Sequence, residues 1–113
     1  MLPRAHRLTD PDSFRAAVRR GRRAGSTRLV VHLLVEDDAG SDPARVGFVV
    51  SKAVGPAVIR NRVKRRLRHL ARESATDLPG SAVLVVRALP AAATANYAEL
   101  AADLERCLER VSS

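Results

Sequence analysis

Between Pro56 and Ser74 the apolar residues Ile59, Val63, Leu67 and Leu70 recur at intervals of four, four and three. That spacing lays one stripe along an α-helix. Elsewhere the pattern changes. Arg28 to Val35 (RLVVHLLV) and Ala44 to Ser51 (ARVGFVVS) are short and rich in β-branched residues, which predicts strands. Ser81 to Ala88 (SAVLVVRA) is almost continuously apolar, the pattern of a strand covered on both faces. Tyr97, Leu100, Leu104, Cys107, Leu108 and Val111 return to helical spacing and predict a last helix capped by Thr94 or Asn96. Near the start, Phe14, Ala17 and Val18 form the apolar edge of a helix from about Asp12 to Arg20, capped by Asp10 or Asp12 and stopped at Gly21.

Turn chemistry separates these elements. Glu36 to Pro43 (EDDAGSDP) is a polar turn, short enough to predict antiparallel pairing of the two strands beside it. Gly55-Pro56 breaks the chain before the long helix, and Leu78-Pro79-Gly80 breaks it afterwards. Residues 22–27 are a candidate short edge strand. The order is α-β-β-α-β-α with an optional extra strand. It predicts an α+β fold in which helices pack on a small sheet of about four strands. The chain of 113 residues is read as a single domain, 1–113.

Composition changes the picture in two ways. Hydrophobic residues are 46% of the chain but aromatics only 3%, so the core must be aliphatic and few rings are available to stack on bases. The formal net charge is +8, which points to a polyanionic partner. The charge is also unevenly placed. Between Pro43 and Arg72 there are nine Lys and Arg and no Asp or Glu. An ordinary solvated helix would mix signs and gain about 0.2–0.5 kcal/mol from each i,i+4 ion pair. In helical projection Asn61, Arg65, Arg68 and Arg72 lie opposite the apolar stripe with Lys64 beside them. Arg62, Arg66 and His69 take one flank and Arg60 the other. A solubilising face is one reading. Pairing with carboxylates elsewhere is another: the 36–42 loop, Glu99, Asp103, Glu105 or Glu109. The density of the run favours phosphate binding, for which the planar guanidinium fork is well suited. Arg62 and Arg65 lie off the stripe, so alanine at both is expected to weaken RNA binding without unfolding the chain.

Other chemistry is sparse. His6, His32 and His69 are scattered, and His32 alternates within an apolar strand. Glu36, Asp37, Asp38 and Asp42 read as a solvated loop rather than a metal cage. The single Cys107 is expected to be an inert core thiol in a reducing, cytoplasmic setting. No apolar run approaches the ~18 residues of a membrane span, and the first fourteen residues hold no apolar signal core. No catalytic residue and no metal ligand is expected on this chain.

The run KAVGPAVIRNRVKRRLR, Lys52 to Arg68, resembles the signature of the bacterial ribonuclease P protein component. Lys52, Gly55, Ala57, Val58, Arg60, Asn61, Arg62, Lys64, Arg65 and Arg68 match it. The resemblance extends to Phe14, Gly21, the strand VGFVVSK and the strand-Pro-helix ending. It implies a ribosomal protein S5 domain 2-like fold with a left-handed βαβ crossover. It also implies the protein subunit of a tRNA-processing endoribonuclease whose active site lies on an RNA subunit. The implied partners are that catalytic RNA and precursor tRNA, with no membrane and no required protein partner. Mg²⁺ would be held mainly by RNA. RNA contacts would come from Lys52, Arg60, Asn61, Arg62, Lys64, Arg65, Arg66, Arg68 and Arg72. A cleft for the 5′ leader would include Phe14, Val18, His32 and Phe48. Family members often carry aromatics where this chain has Val18 and His32. The alternative function is a ribosomal or general structured-RNA-binding protein with no processing role.

Overall fold

The computed structural model describes residues 6–35 and 43–112. Its elements are α1 (Pro11–Arg20), β1 (Arg22–Gly25), β2 (Leu29–Leu34), β3 (Arg45–Val49), α2 (Ala57–Asp77), β4 (Val83–Ala88) and α3 (Tyr97–Ser112). Short 3₁₀ turns at Lys52–Val54 and Pro90–Thr94 precede α2 and α3.

The ends follow local chemistry. Asp10 caps α1 by accepting a hydrogen bond from the Asp12 amide, with Pro11 in the first turn. Asn96 settles the open choice of cap for α3. Its side chain accepts from the Glu99 amide while Glu99 accepts from the Asn96 amide, a reciprocal box. Helix α2 runs to Asp77, one turn beyond the Ser74 expected, and buries Ala71 and Ala75 besides Val63 and Leu67. Alanine favours helix and fits against a neighbour where leucine would not. The helix stops because Leu78 precedes a proline and is driven to an extended conformation, φ −79° and ψ 150°.

One sheet of four strands has the order β1-β2-β4-β3. β1 pairs antiparallel with β2 and β2 antiparallel with β4, while β3 and β4 run parallel with α2 as the crossover between them. The expected direct pairing of the Arg28–Val35 and Ala44–Ser51 strands is therefore wrong. They run in opposite directions, but β4 lies between them. β4 is paired on both edges. The segment joining β2 to β3 is long enough to cross one intervening strand, about 10 Å at the usual spacing.

Strand alternation divides the core into two layers. Leu29, Val31, Leu33, Val46, Leu84 and Val86 face α2 and α3 and meet Val63, Leu67, Leu100 and Leu104. Val83 and Val85 face α1 and meet Leu8, Ala17, Phe14 and Val49. Gly47 is required on this second face. A Cβ there would sit 2.2 Å from the Phe14 ring, so the bare backbone is what lets α1 seat on the sheet.

Candidate RNA interface

Leu67 and Val63 anchor α2 to the sheet and so fix the direction of its charged side. Asn61, Arg65, Arg68, His69 and Arg72 are exposed, and Lys64 is half-buried beside them. Asn61, Lys64, Arg65, Arg68 and His69 line a shallow depression of about 530 Å³. Among the described residues no cation of α2 enters a salt bridge. The ion pairs are Arg15–Asp12, Arg28–Glu99, Arg28–Asp103 and Arg106–Asp103. Glu99 and Asp103, offered by the sequence as neutralisers of the ridge, are thus engaged elsewhere. Glu36, Asp37, Asp38 and Asp42 lie outside the described residues.

The flank of α2 behaves differently from its crest. Arg60 Nε donates to the Gly55 carbonyl at 3.1 Å, Arg62 to the Ala93 carbonyl at 3.1 Å, and Arg66 to the Ala95 carbonyl at 3.0 Å. All three are half-buried. The Arg62 and Arg66 bonds tie α2 to the turn before α3, the Arg60 bond braces the chain entering α2, and all three hold their guanidinium groups in place without neutralising them. Arg62 consequently has a structural share that its position off the apolar stripe does not reveal. Lys52 is exposed on the turn entering α2, and His69 stands 6.0 Å from the Tyr97 ring, tilted by 59°.

A second basic surface lies across the sheet. Phe14, Val18, Arg15, Arg19, Val49 and Arg87 border a groove of about 300 Å³ between α1 and the strands. Val18 is 39% exposed and presents an accessible aliphatic group to this groove. His32 occupies the same sheet face but is only 6% exposed, opposite Arg23 in the register, and its Nδ1 has no hydrogen-bond partner. Burial, reinforced by the nearby Arg23 and Arg87 charges, lowers its pKa and keeps it neutral at pH 7.

Phe48 is not on that face. It packs toward the α2 and α3 layer, though its ring also borders a cavity of about 430 Å³ with Phe14, Arg7, Lys64 and Arg68 at the β3 edge. The structure therefore brings Phe14, Val18 and His32 to one side of the sheet and puts Phe48 on the other. Arg87 was not singled out from the sequence. The signal was present, since Val83, Val85 and Arg87 share one face by alternation and the last is a cation in an apolar strand.

Among the described residues no group of three or more His, Cys, Asp or Glu is placed to hold a metal ion. Cys107 is buried, and burial raises its pKa and keeps it a thiol. No helix of the described residues is long and apolar enough to cross a membrane.

Comparison with known proteins agrees with this geometry. The Ribonuclease P family profile matches residues 2–112. A ribonuclease P protein component from Nocardioides sp. is 72% identical over 113 residues, covering 100% of this chain and 97% of that one. One from Streptomyces avermitilis is 53% identical over 117 residues, covering 98% and 95%. Among solved structures, a Staphylococcus aureus RNase P protein, a mutant with defective mRNA degradation activity, superposes with a TM-score of 0.83 at 25% identity, covering 96% of this chain and 89% of that one. The RNase P protein from Thermotoga maritima shares the fold, with a TM-score of 0.76 at 22% identity, covering 93% and 96%. An arginine ridge with no counter-charge among the described residues sits on a four-stranded fold matched over nearly its whole length, and the chain belongs to the ribonuclease P protein family and serves tRNA processing.

Proposed function

We propose that α2 clamps the folded RNA subunit of ribonuclease P while the groove between α1 and the sheet holds the single-stranded 5′ leader of precursor tRNA. What carries this reading is the set of seven cations in residues 60–72, none of them in a salt bridge with a described carboxylate. The crest residues Asn61, Lys64, Arg65, Arg68 and Arg72, with Lys52, offer donors to phosphate oxygens. Arg60, Arg62 and Arg66 are oriented beforehand by backbone carbonyls, so less side-chain freedom is lost on contact. Asn61 adds an amide able to bond a 2′-hydroxyl or a base edge.

On the other face Phe14 supplies a ring and Val18 and Val49 an apolar floor, with Arg15, Arg19 and Arg87 placed along a strand of phosphates. With one ring in the groove, leader affinity rests more on charge than on stacking, which is worth about 1–3 kcal/mol per base where it occurs. Bond hydrolysis and the Mg²⁺ that serves it belong, in this reading, to the RNA subunit and substrate in the cytoplasm. The protein contributes position and counter-charge.

The test is reconstitution of RNA subunit, protein and precursor tRNA with each omitted in turn. Leader removal at low Mg²⁺ should require the RNA subunit and be enhanced by the protein. Cleavage by the protein without RNA would overturn the reading, as would copurification with ribosomal particles instead of one structured RNA. With about six phosphates neutralised, log K for RNA binding should fall with log salt at a slope of about −4 to −5. A flat response would remove the clamp.

A further inference from the structure

Among the described residues, the basic surface of α2 gives way to an acidic one at the helix's C-terminal end. The last turns of α2 and the adjoining side of α3 border a groove of about 540 Å³, lined by Leu70, Leu78, Leu104 and Leu108 within a rim that includes Glu73, Asp77, Glu105 and Glu109. Leu70, Leu78 and Leu108 are only half-buried, and the four rim carboxylates are exposed. None of the four is in a salt bridge with a described residue.

This arrangement is not a by-product of composition. α3 carries Arg106 and Arg110 as well, but both are turned to the other side. Arg106 bonds Asp103, and Arg110 donates to the Gly25 carbonyl. The exposed acids Glu105 and Glu109 of α3 thus face the groove, while Arg106 and Arg110, with Asp103, face the β1–β2 side. The lining also has helical periodicity on both walls. Residues 70, 74 and 77 come from α2, and 101, 105, 108 and 112 from α3, the spacing of side chains that meet a neighbouring helix.

We propose that the groove receives a basic helix from a partner protein, seated by leucine-type anchors and flanked by Lys or Arg opposite the four carboxylates. Charge complementarity selects the occupant. RNA is repelled by the rim, and on the RNA-binding reading of α2 the rim carboxylates Glu73 and Asp77 follow the last proposed phosphate contact, Arg72, along the helix. A second copy of this chain fits poorly. Its large exposed apolar residues, Val18, Val35, Val58 and Tyr97, are scattered over separate elements and offer no row of anchors. Two such grooves set face to face would oppose carboxylate to carboxylate. An amphipathic basic helix satisfies both the floor and the rim, in the manner of helix-in-groove recognition.

The probe is a synthetic peptide of about 18 residues with leucines at i, i+4, i+7 and i+11 and lysines between, added to the full-length protein carrying labelled leucine methyl groups. The net charge of +8 opposes any unspecific attraction of such a peptide. Saturable shifts of the Leu70, Leu78, Leu104 and Leu108 methyls are expected. E73K/E105K/E109K should weaken binding at least tenfold while keeping its helical circular dichroism. That variant should bind the RNA subunit no less tightly than the parent, a readout that separates this proposal from the clamp. Leu108→Gln should also weaken the peptide. The proposal fails if the shifts map elsewhere or do not saturate. It fails equally if a peptide with glutamates in place of the lysines binds as well. Sedimentation showing a dimer dissociated by the charge-reversal variant would assign the groove to a second copy and overturn it too.

Discussion

Two sets of arginines in this molecule have the same chemistry and opposite surroundings. Arg28 and Arg106 converge on Asp103, a carboxylate only 1% exposed in the middle of α3. Arg28 also reaches Glu99 at 2.7 Å, and the Ser26 hydroxyl donates to Asp103 at 3.0 Å. This network fastens the β1–β2 turn to α3. On α2, by contrast, Arg65, Arg68 and Arg72 are exposed and enter no salt bridge with a described residue. The first set is committed to the fold. The second is left with its charge uncompensated, which destabilises the isolated chain by self-repulsion and favours an anionic partner. Whether an arginine is structural or available depends on whether a buried carboxylate lies within its reach.

The comparison can be broken most severely at its buried centre. Asp103→Ala leaves Arg106 without its carboxylate and Arg28 with Glu99 alone, and should cost about 3 kcal/mol in urea unfolding. That is the low end for breaking a buried pair, because both arginines retain access to water. RNA affinity per folded molecule should be unchanged. The triple variant R65A/R68A/R72A should do the reverse. Its unfolding midpoint should equal or slightly exceed the parent's, because self-repulsion is relieved, while the slope of log K against log salt should shrink by about 2–3, at ~0.7–0.9 per lost phosphate contact. A loss of stability in the triple variant would show that the crest is also committed to the fold.

Arg62 sharpens the division because it belongs to both sets. Arg62→Ala removes a hydrogen bond to the Ala93 carbonyl and should cost about 1 kcal/mol of stability. It should also reduce the salt slope by roughly one contact. R62A/R65A is therefore still expected to leave the fold intact, but at a cost of about 1 kcal/mol from the lost Arg62 bond.

The smallest effect is the response to pH. Burial pushes the Asp103 pKa up, but the hydrogen bonds from Arg106, Ser26 and Arg28 outweigh it and hold the carboxyl below its usual 3.8. The unfolded chain therefore binds a proton at Asp103 before the folded one does. The stabilisation is present above the unfolded value and is lost as pH falls through the folded one. Urea midpoints of the parent and Asp103→Asn should differ at pH 7 and converge as pH drops below about 4. The α2 triple variant should show no such convergence. A parent-to-Asn gap that stays constant down to the lowest pH would mean that Asp103 is not titrating with the fold.

Much of this was legible in one dimension. Helical spacing located α2 and α3, β-branched runs located the long strands, and the acid-free interval before Arg72 exposed the ridge. Asp103 was not legible as a core residue, because nothing local distinguishes it from Glu99 or Glu105. It is buried because β1 and β2 fold back to bring Ser26 and Arg28 against α3. The placement of Phe48 on the sheet face opposite Val18 and His32, sharing only the edge cavity with Phe14, was hidden for a related reason. Alternation says that the two sides of a strand differ, but not which layer each side meets.

The amino-acid order by itself determined the elements, the sign and placement of the surface charge, and the family to which the chain belongs, because periodicity and charge density are local properties. Tertiary structure alone decided that β4 separates β2 from β3, that Arg62 and Arg66 are pinned while Arg65 and Arg68 are not, and that an acidic groove opens at the far end of a basic helix. Those outcomes depend on contacts between residues distant in sequence, and no local pattern encodes which distant partner will be within a few ångströms.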